Sequence, residues 1–191
     1  MYSPAIETAI AAALSAHAGQ TRKSGADLPY VVHPIHMALM LSKMGADETI
    51  ILAALLHDAV EDSPQQWSLA RIAGEFGAAV AGIVGELTED KSRTWEERKR
   101  AGIAKVAQMS LQAATVKAVD KLHNLHSLAA ALSTTSDPAK VWQGFRGGRA
   151  NTLELSRQLV QALCAKVEPR LARALESALQ AVLKADQARS S

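Results

Sequence analysis

Residues 54–62, ALLHDAVED, place four ionisable side chains at the end of the most apolar stretch of the chain. His57 and Glu61 are four residues apart, as are Asp58 and Asp62, so a helical backbone presents all four as neighbours. Three carboxylates this close repel one another unless a cation or a shared proton offsets their charge. The segment therefore predicts a metal site or, as the alternative, a helix end whose acids point into water.

Two further candidate metal ligands lie elsewhere in the chain. His33 is at the entrance of a predicted helix, and Asp120 interrupts a second apolar helix, where an unpaired carboxylate would be costly. With His57 and Asp58 they form a mixed nitrogen and oxygen ligand set, which suits manganese, iron or magnesium better than a structural zinc site. We therefore expect one metal ion bound by His33, His57, Asp58 and Asp120.

The remaining acids of the string, Glu61 and Asp62, are the candidate catalytic residues. A bound metal lowers the pKa of water so that water becomes a nucleophile at neutral pH. A carboxylate that is not a ligand can orient this water or take its proton. The pattern predicts a metal-dependent hydrolase.

Polar residues on the second apolar helix point to the substrate. Asp120, Asn124 and Ser127 follow one another at spacings of four and three, so they share a helix face. Asn124 and Ser127 are candidate contacts to a nucleobase or ribose, although a buried Asn that satisfies local backbone is the alternative.

The chain also has basic residues suited to a phosphate or a base, or alternatively to a solvated surface. They are Arg22, Lys23, Lys91, Arg98 and Lys99. Histidines interpreted as packed or solvated are His17, His36, His123 and His126.

The composition favours an all-α protein. The 191 residues are 48% hydrophobic but only 4% aromatic, and this balance is typical of packed helices. We expect one domain over residues 1–191, with a central apolar helix over 48–62 and a tail that frays from about Asp186.

The formal charge of +2 argues against a nucleic-acid binder. A lone Cys164 and the lack of an apolar run of about 20 residues indicate a soluble, cytoplasmic protein without disulfides or membrane spans.

Four ordered blocks resemble the hydrolase domain of RelA/SpoT homologues. They are residues 16–25 (AHAGQTRKSG), 29–34 (PYVVHP), 57–62 (HDAVED) and 118–125 (AVDKLHNL). Residues 88–91 (TEDK) and 97–99 (ERK) are more similar to the stand-alone small alarmone hydrolases than to the long bifunctional enzymes.

This resemblance implies an HD-domain helical fold and a manganese-dependent enzyme of the stringent response. Such an enzyme removes the 3′-pyrophosphate of (p)ppGpp and leaves GDP or GTP. The implied roles are metal binding by His33, His57, Asp58 and Asp120, water activation by Glu61 and Asp62, and substrate binding by Arg22, Lys23, Lys91, Arg98, Asn124 and Ser127. The carboxy-terminal third departs most from the family, and its contacts to ribose and pyrophosphate stay open among Arg146, Arg149 and Asn151.

Three alternatives remain at this point. The same site could act on adenine alarmones, (p)ppApp, or remove the 2′-phosphate of NADPH, and the sequence does not separate these substrates. A non-catalytic alarmone-binding module is a further alternative, although both acids and all four ligands are present. Other divalent metals and association into a homo-oligomer also stay open.

Overall fold

Helices form nearly all of the regular structure. A computed structural model describes residues 2–22 and 28–188, and within these ranges the only pairing of extended backbone is an isolated bridge between Thr21 and Pro29. The predicted all-α class is confirmed. The helices are α1 (Pro4–Ala16), α2 (Val32–Lys43), α3 (Glu48–Leu56), α4 (Ala59–Asp62), α5 (Leu69–Phe76), α6 (Ala78–Leu87), α7 (Trp95–Lys105), a 3₁₀ turn (Val106–Gln108), α8 (Leu111–Thr134), α9 (Pro138–Gln143), α10 (Gly148–Cys164) and α11 (Pro169–Gln187).

Helix α3 lies at the centre of the core. Its residues 51–56 are all buried, and it packs against α1, α2, α6 and α8. A helix that is apolar on every side needs neighbours on every side. Asp47 caps its first turn by accepting from the N–H of Ile50.

The predicted helix over 48–62 is wrong in one respect, because α3 ends at Leu56 and α4 starts at Ala59. The imidazole Nδ1 of His57 lies 2.8 Å from the carbonyl of Ala54. A continuous helix would offer that carbonyl to the N–H of Asp58. The side chain of His57 therefore takes part in ending α3, and the His57-Asp58 pair lies in the turn between two helices.

Helix α8 forms the other wall of the site. It packs against α11, α2, α6 and α3, and Ser110 caps its start. Helix α10 lies against α11, α7 and α8. The side of α8 that carries Asp120, Asn124 and Ser127 faces a space that is also lined by the α3–α4 turn, α7 and α10.

Helices α5 and α6 are separated by Gly77, whose φ of 95° suits glycine. Asp186 is buried in the last turn of α11, which ends at Gln187. Within the described residues, no helix is both long and apolar enough to cross a membrane.

Candidate metal centre and nucleotide cavity

Three of the four predicted metal ligands come together at the α3–α4 turn. Ligand atoms of His33, His57 and Asp58 all lie within 4.8 Å of one another. Asp120, from α8, lies outside that group of three but brings its Oδ1 to 3.1 Å from Nε2 of His33. Three elements that are distant in sequence therefore converge on one point.

The buried His57 forms a pair with the half-buried Asp58. Nε2 of His57 lies 3.0 Å from Oδ2 of Asp58, and Nδ1 is held by the Ala54 carbonyl. Burial disfavours the charged form of each group, but the opposite charges and the hydrogen bonds around it together outweigh burial, raising the pKa of His57 and lowering the pKa of Asp58. A site that attracts a proton this strongly between an imidazole and a carboxylate also suits a divalent cation.

The second imidazole, His33, has a nitrogen that a cation would satisfy. Its Nε2 is buried and makes no hydrogen bond, although Asp120 lies 3.1 Å away at an unsuitable angle. Burial lowers the pKa of His33, which favours the neutral ring that binds metals. The residues present therefore fit a divalent metal ion with imidazole and carboxylate ligands.

Residues behind the candidate ligands contact them, and the sequence did not predict these contacts. Nδ1 of His33 lies 2.9 Å from Nδ1 of His123, and Nε2 of His123 lies 3.0 Å from Nδ1 of His36. The hydroxyl of Tyr30 donates to Oδ2 of Asp58 at 2.5 Å. Burial and the charge of Asp58 raise the pKa of Tyr30, so its hydroxyl stays a donor. A fixed partner on the far nitrogen of a ligating histidine is a common property of metal sites.

The two candidate catalytic acids lie beside the metal ligands with a lysine against them. Nζ of Lys91 is 2.9 Å from Asp62 and 3.9 Å from Glu61. Glu61 also accepts from the backbone N–H of Glu89 at 2.7 Å. Burial raises the pKa of Glu61, while the Glu89 N–H and Lys91 oppose this rise.

A cavity of about 890 Å³ opens beside these acids. This size is typical of sites for small molecules. His33 is buried behind the cavity wall, and Lys23 lies outside the described residues. The other predicted site residues all line the cavity: Arg22, His57, Asp58, Glu61, Asp62, Lys91, Arg98, Asp120, Asn124 and Ser127.

The predicted nucleoside contacts form a chain that ends at the metal site. Nη2 of Arg22 donates to Oδ1 of Asn124 at 2.9 Å, and Nδ2 of Asn124 donates to Asp120 at 2.6 Å. The segment around Arg22 is closed by backbone hydrogen bonds from Arg22 to Leu28 and from Tyr30 to Gln20. The guanidinium of Arg22 is therefore held at the cavity wall.

Other cavity residues had no sequence signal of their own. Trp95, Lys117, Lys121, Thr152 and Ser156 read as ordinary helix residues, and only the packing of α7, α8 and α10 brings them to the cavity. The three residues of the carboxy-terminal third among which the ribose and pyrophosphate contacts stayed open have different surroundings. Arg146 lines the cavity, Asn151 is exposed, and Arg149 pairs with Asp186 at 2.7 Å.

Comparison with known proteins identifies the type of domain. A family profile described as an HD domain matches residues 9–146. The chain belongs to the HD-domain family. A solved structure of a metazoan orthologue of SpoT, which hydrolyses ppGpp and plays a role in starvation responses, superposes with a TM-score of 0.79 at 31% identity. That match covers 94% of this HD-domain chain and 96% of the other.

Sequence relatives agree with this structure. A Drosophila melanogaster protein named guanosine-3′,5′-bis(diphosphate) 3′-pyrophosphohydrolase MESH1 is 42% identical over 114 residues, which are 59% of this HD-domain chain. The bifunctional (p)ppGpp synthase/hydrolase SpoT of Escherichia coli is 33% identical over 120 residues, which are 17% of its length. The match spans 63% of the Drosophila relative. The predicted resemblance to RelA/SpoT homologues is confirmed.

Proposed function

We propose that this HD-domain protein is a manganese-dependent 3′-pyrophosphohydrolase of (p)ppGpp. The observation that carries the proposal is a buried His33 Nε2 that makes no hydrogen bond and lies beside His57, Asp58 and Asp120, next to a cavity that also holds two acids and the Arg22–Asn124 pair. The relative and the structural neighbour named above act on ppGpp according to their descriptions, which supports the same substrate here.

In this proposal His33, His57, Asp58 and Asp120 would hold one Mn²⁺. The ion would supply Lewis-acid polarisation of a phosphoryl oxygen and a more acidic water. Each ligand has a second partner that fixes its orientation, as described above for His33, His57 and Asp58. Asp120 is fixed by the amide of Asn124.

The acids would move the proton. Glu61 is the proposed general base, because burial raises its pKa towards the range in which it can accept a proton from water. The water oxygen attacks the phosphorus attached to O3′, the bond between phosphorus and O3′ breaks, and pyrophosphate leaves the nucleoside. O3′ gains a proton, so the products are pyrophosphate and GDP or GTP. Asp62 would orient the water, with Lys91 balancing its charge.

Arg22 and Asn124 would hold the nucleoside. The guanidinium of Arg22 lies 5.6 Å from the centre of the Tyr30 ring, so a base could stack beside it at the cavity wall. Ser127 lies one turn beyond Asn124 and lines the same cavity, where its hydroxyl would bond a polar edge of the nucleoside.

The test is a nucleotide panel with added Mn²⁺: ppGpp, pppGpp, ppApp and NADPH, with release of pyrophosphate or phosphate as the readout. We expect ppGpp and pppGpp to turn over and metal-depleted protein to be inactive. Preference for ppApp or NADPH would overturn the substrate, and binding of ppGpp without turnover would indicate a non-catalytic module. Asp58→Ala should lose both metal and activity, whereas Glu61→Ala should keep the metal and slow turnover by about 10²- to 10⁴-fold.

A further inference from the structure

The cavity also holds two lysines that form no salt bridge within the described part of the chain. Lys117 and Lys121 of α8 line it, and neither has a carboxylate oxygen within 4.0 Å among those residues. Two of the basic residues predicted from sequence differ, because Lys91 lies 2.9 Å from Asp62 and Arg98 lies 3.9 Å from a glutamate. Lys117 and Lys121 are therefore available to an anionic ligand, although neither was among the predicted site residues.

Lys121 has a neutral partner in a half-buried place. Its Nζ donates to Oγ of Ser156 at 2.7 Å, and Ser156 in turn donates to the carbonyl of Thr152 at 2.6 Å. An ammonium has three donors, and removing it from water is costly unless an anion offsets the charge. The remaining donors of Lys121 suit an anionic ligand in the cavity.

A second, independent observation lies one turn away on α10. Oγ1 of Thr152 is buried and has no hydrogen-bond partner, although Thr152 lines the same cavity. Buried hydroxyls in folded proteins nearly always have a partner. A ligand acceptor placed between Thr152 and Lys121 would satisfy both groups.

The position of these residues on α8 separates them from the metal. Lys117 and Lys121 are four residues apart and share one row of the helix, which faces Ser156 on α10. Asp120 and Asn124 form a neighbouring row, which faces His33 and Arg22. The two rows turn towards different walls, so the cavity has an acidic end with the metal ligands and a basic end against α10.

We infer that Lys121, Thr152, Ser156 and Lys117 form an anchoring subsite for the phosphates that the reaction does not cleave. The inference rests on the proposed function, in which the 3′-pyrophosphate lies at the acidic end. The 5′-phosphates of the same nucleotide then lie at the basic end, where Lys121 is their main charged contact. The subsite selects nucleotides that carry phosphates at two separate positions.

The test uses binding of the product GDP, which needs no turnover. Calorimetry on the Mn²⁺-loaded protein would compare GDP with guanosine, which lacks the 5′-phosphates. In the wild type we expect GDP to bind more tightly, and Lys121→Met to reduce this advantage by about 10- to 100-fold, since hydrogen bonds to charged groups are the strong ones. Thr152→Val, which is nearly isosteric, should reduce it by about 2- to 10-fold. The exposed Lys43→Met is the matched control and should change nothing.

An unchanged GDP advantage in both Lys121→Met and Thr152→Val would overturn the subsite. The subsite would also be overturned if only Asp58→Ala lost the tighter binding of GDP relative to guanosine, because the diphosphate would then bind at the metal. Failure of the proposed function is a separate result, namely the absence of pyrophosphate release from every nucleotide of the panel. If turnover occurs, Lys121→Met should raise KM for ppGpp far more than it lowers kcat, since an anchor binds substrate and transition state alike.

Discussion

The contact between His33 and His123 makes a sharp prediction about metal affinity. A histidine that binds metal through Nε2 must carry its proton on Nδ1, and here Nδ1 of His33 faces Nδ1 of His123 at 2.9 Å. Burial lowers the pKa of His123 to about 4, so its ring is neutral, and its Nδ1 can accept the hydrogen bond from His33 while its Nε2–H donates to Nδ1 of His36 at 3.0 Å. The three rings therefore form a chain of hydrogen bonds in which each ring donates to the next, and the chain ends at the exposed His36.

Replacing His123 with Ala leaves the Nδ1–H of His33 buried without an acceptor. Such a loss costs about 1–3 kcal/mol, which equals an affinity for Mn²⁺ that is weaker by about 5- to 150-fold if the cost falls on the metal-binding state. His123→Gln offers a carbonyl acceptor and should recover much of the loss. The control is His126→Ala, because His126 lies three residues further along α8 but is exposed.

The assay is competition for Mn²⁺ against a chelating indicator, with circular dichroism to verify that each variant is folded. Long-range ¹⁵N correlation spectra of the metal-free protein would report directly whether the proton of His33 is on Nδ1. If His123→Ala binds Mn²⁺ within about twofold of the wild type, the orienting role of His123 is refuted.

Four further predictions concern packing and polar contacts. Gly147→Ala should destabilise the protein by about 1–3 kcal/mol in urea denaturation, because its Cβ would lie 2.2 Å from the ring of Trp95. Gly82→Ala, in an exposed helical position with nothing within 4 Å, should instead stabilise it by about 0.5–1 kcal/mol. Asp186→Ala should cost about 1–3 kcal/mol in the same assay by removing the acceptor of a buried tryptophan N–H, and a change near zero would contradict this. Tyr30→Phe removes a donor to a ligand carboxylate and should weaken Mn²⁺ binding by about 10-fold in the competition assay, with the fold unchanged.

The residues around the metal could be predicted from sequence because their chemistry conflicts with their surroundings. His57, Asp58 and Asp120 interrupt apolar helices, where a polar group without a partner is costly. Such a conflict can be recognised from the sequence alone. The helix break at His57 was not visible, since it depends on a side chain that bonds the Ala54 carbonyl rather than on glycine or proline.

The orienting residues could not be predicted, because sequence spacing does not say which side of a helix meets another helix. His123 and His126 are three residues apart on α8 and received the same interpretation. The packing of α2 against α8 buries His123 against His33 and leaves His126 exposed. One histidine therefore acts within the site and the other does not, and only the tertiary arrangement separates them.

The basic end of the cavity could not be predicted for the same reason, because it depends on which side of α8 faces α10. A lysine in a helix usually extends into water, so the residue type alone does not distinguish Lys117 and Lys121 from surface residues, although Lys121 lies within the block 118–125. The family resemblance implies that Lys91 binds substrate, yet in the structure Lys91 lies against the two acids, Glu61 and Asp62. The charge that a substrate phosphate needs must come from cations that acids have not already neutralised. By this argument the metal end sets the reaction, while the row of α8 that faces α10 sets which nucleotide can reach it.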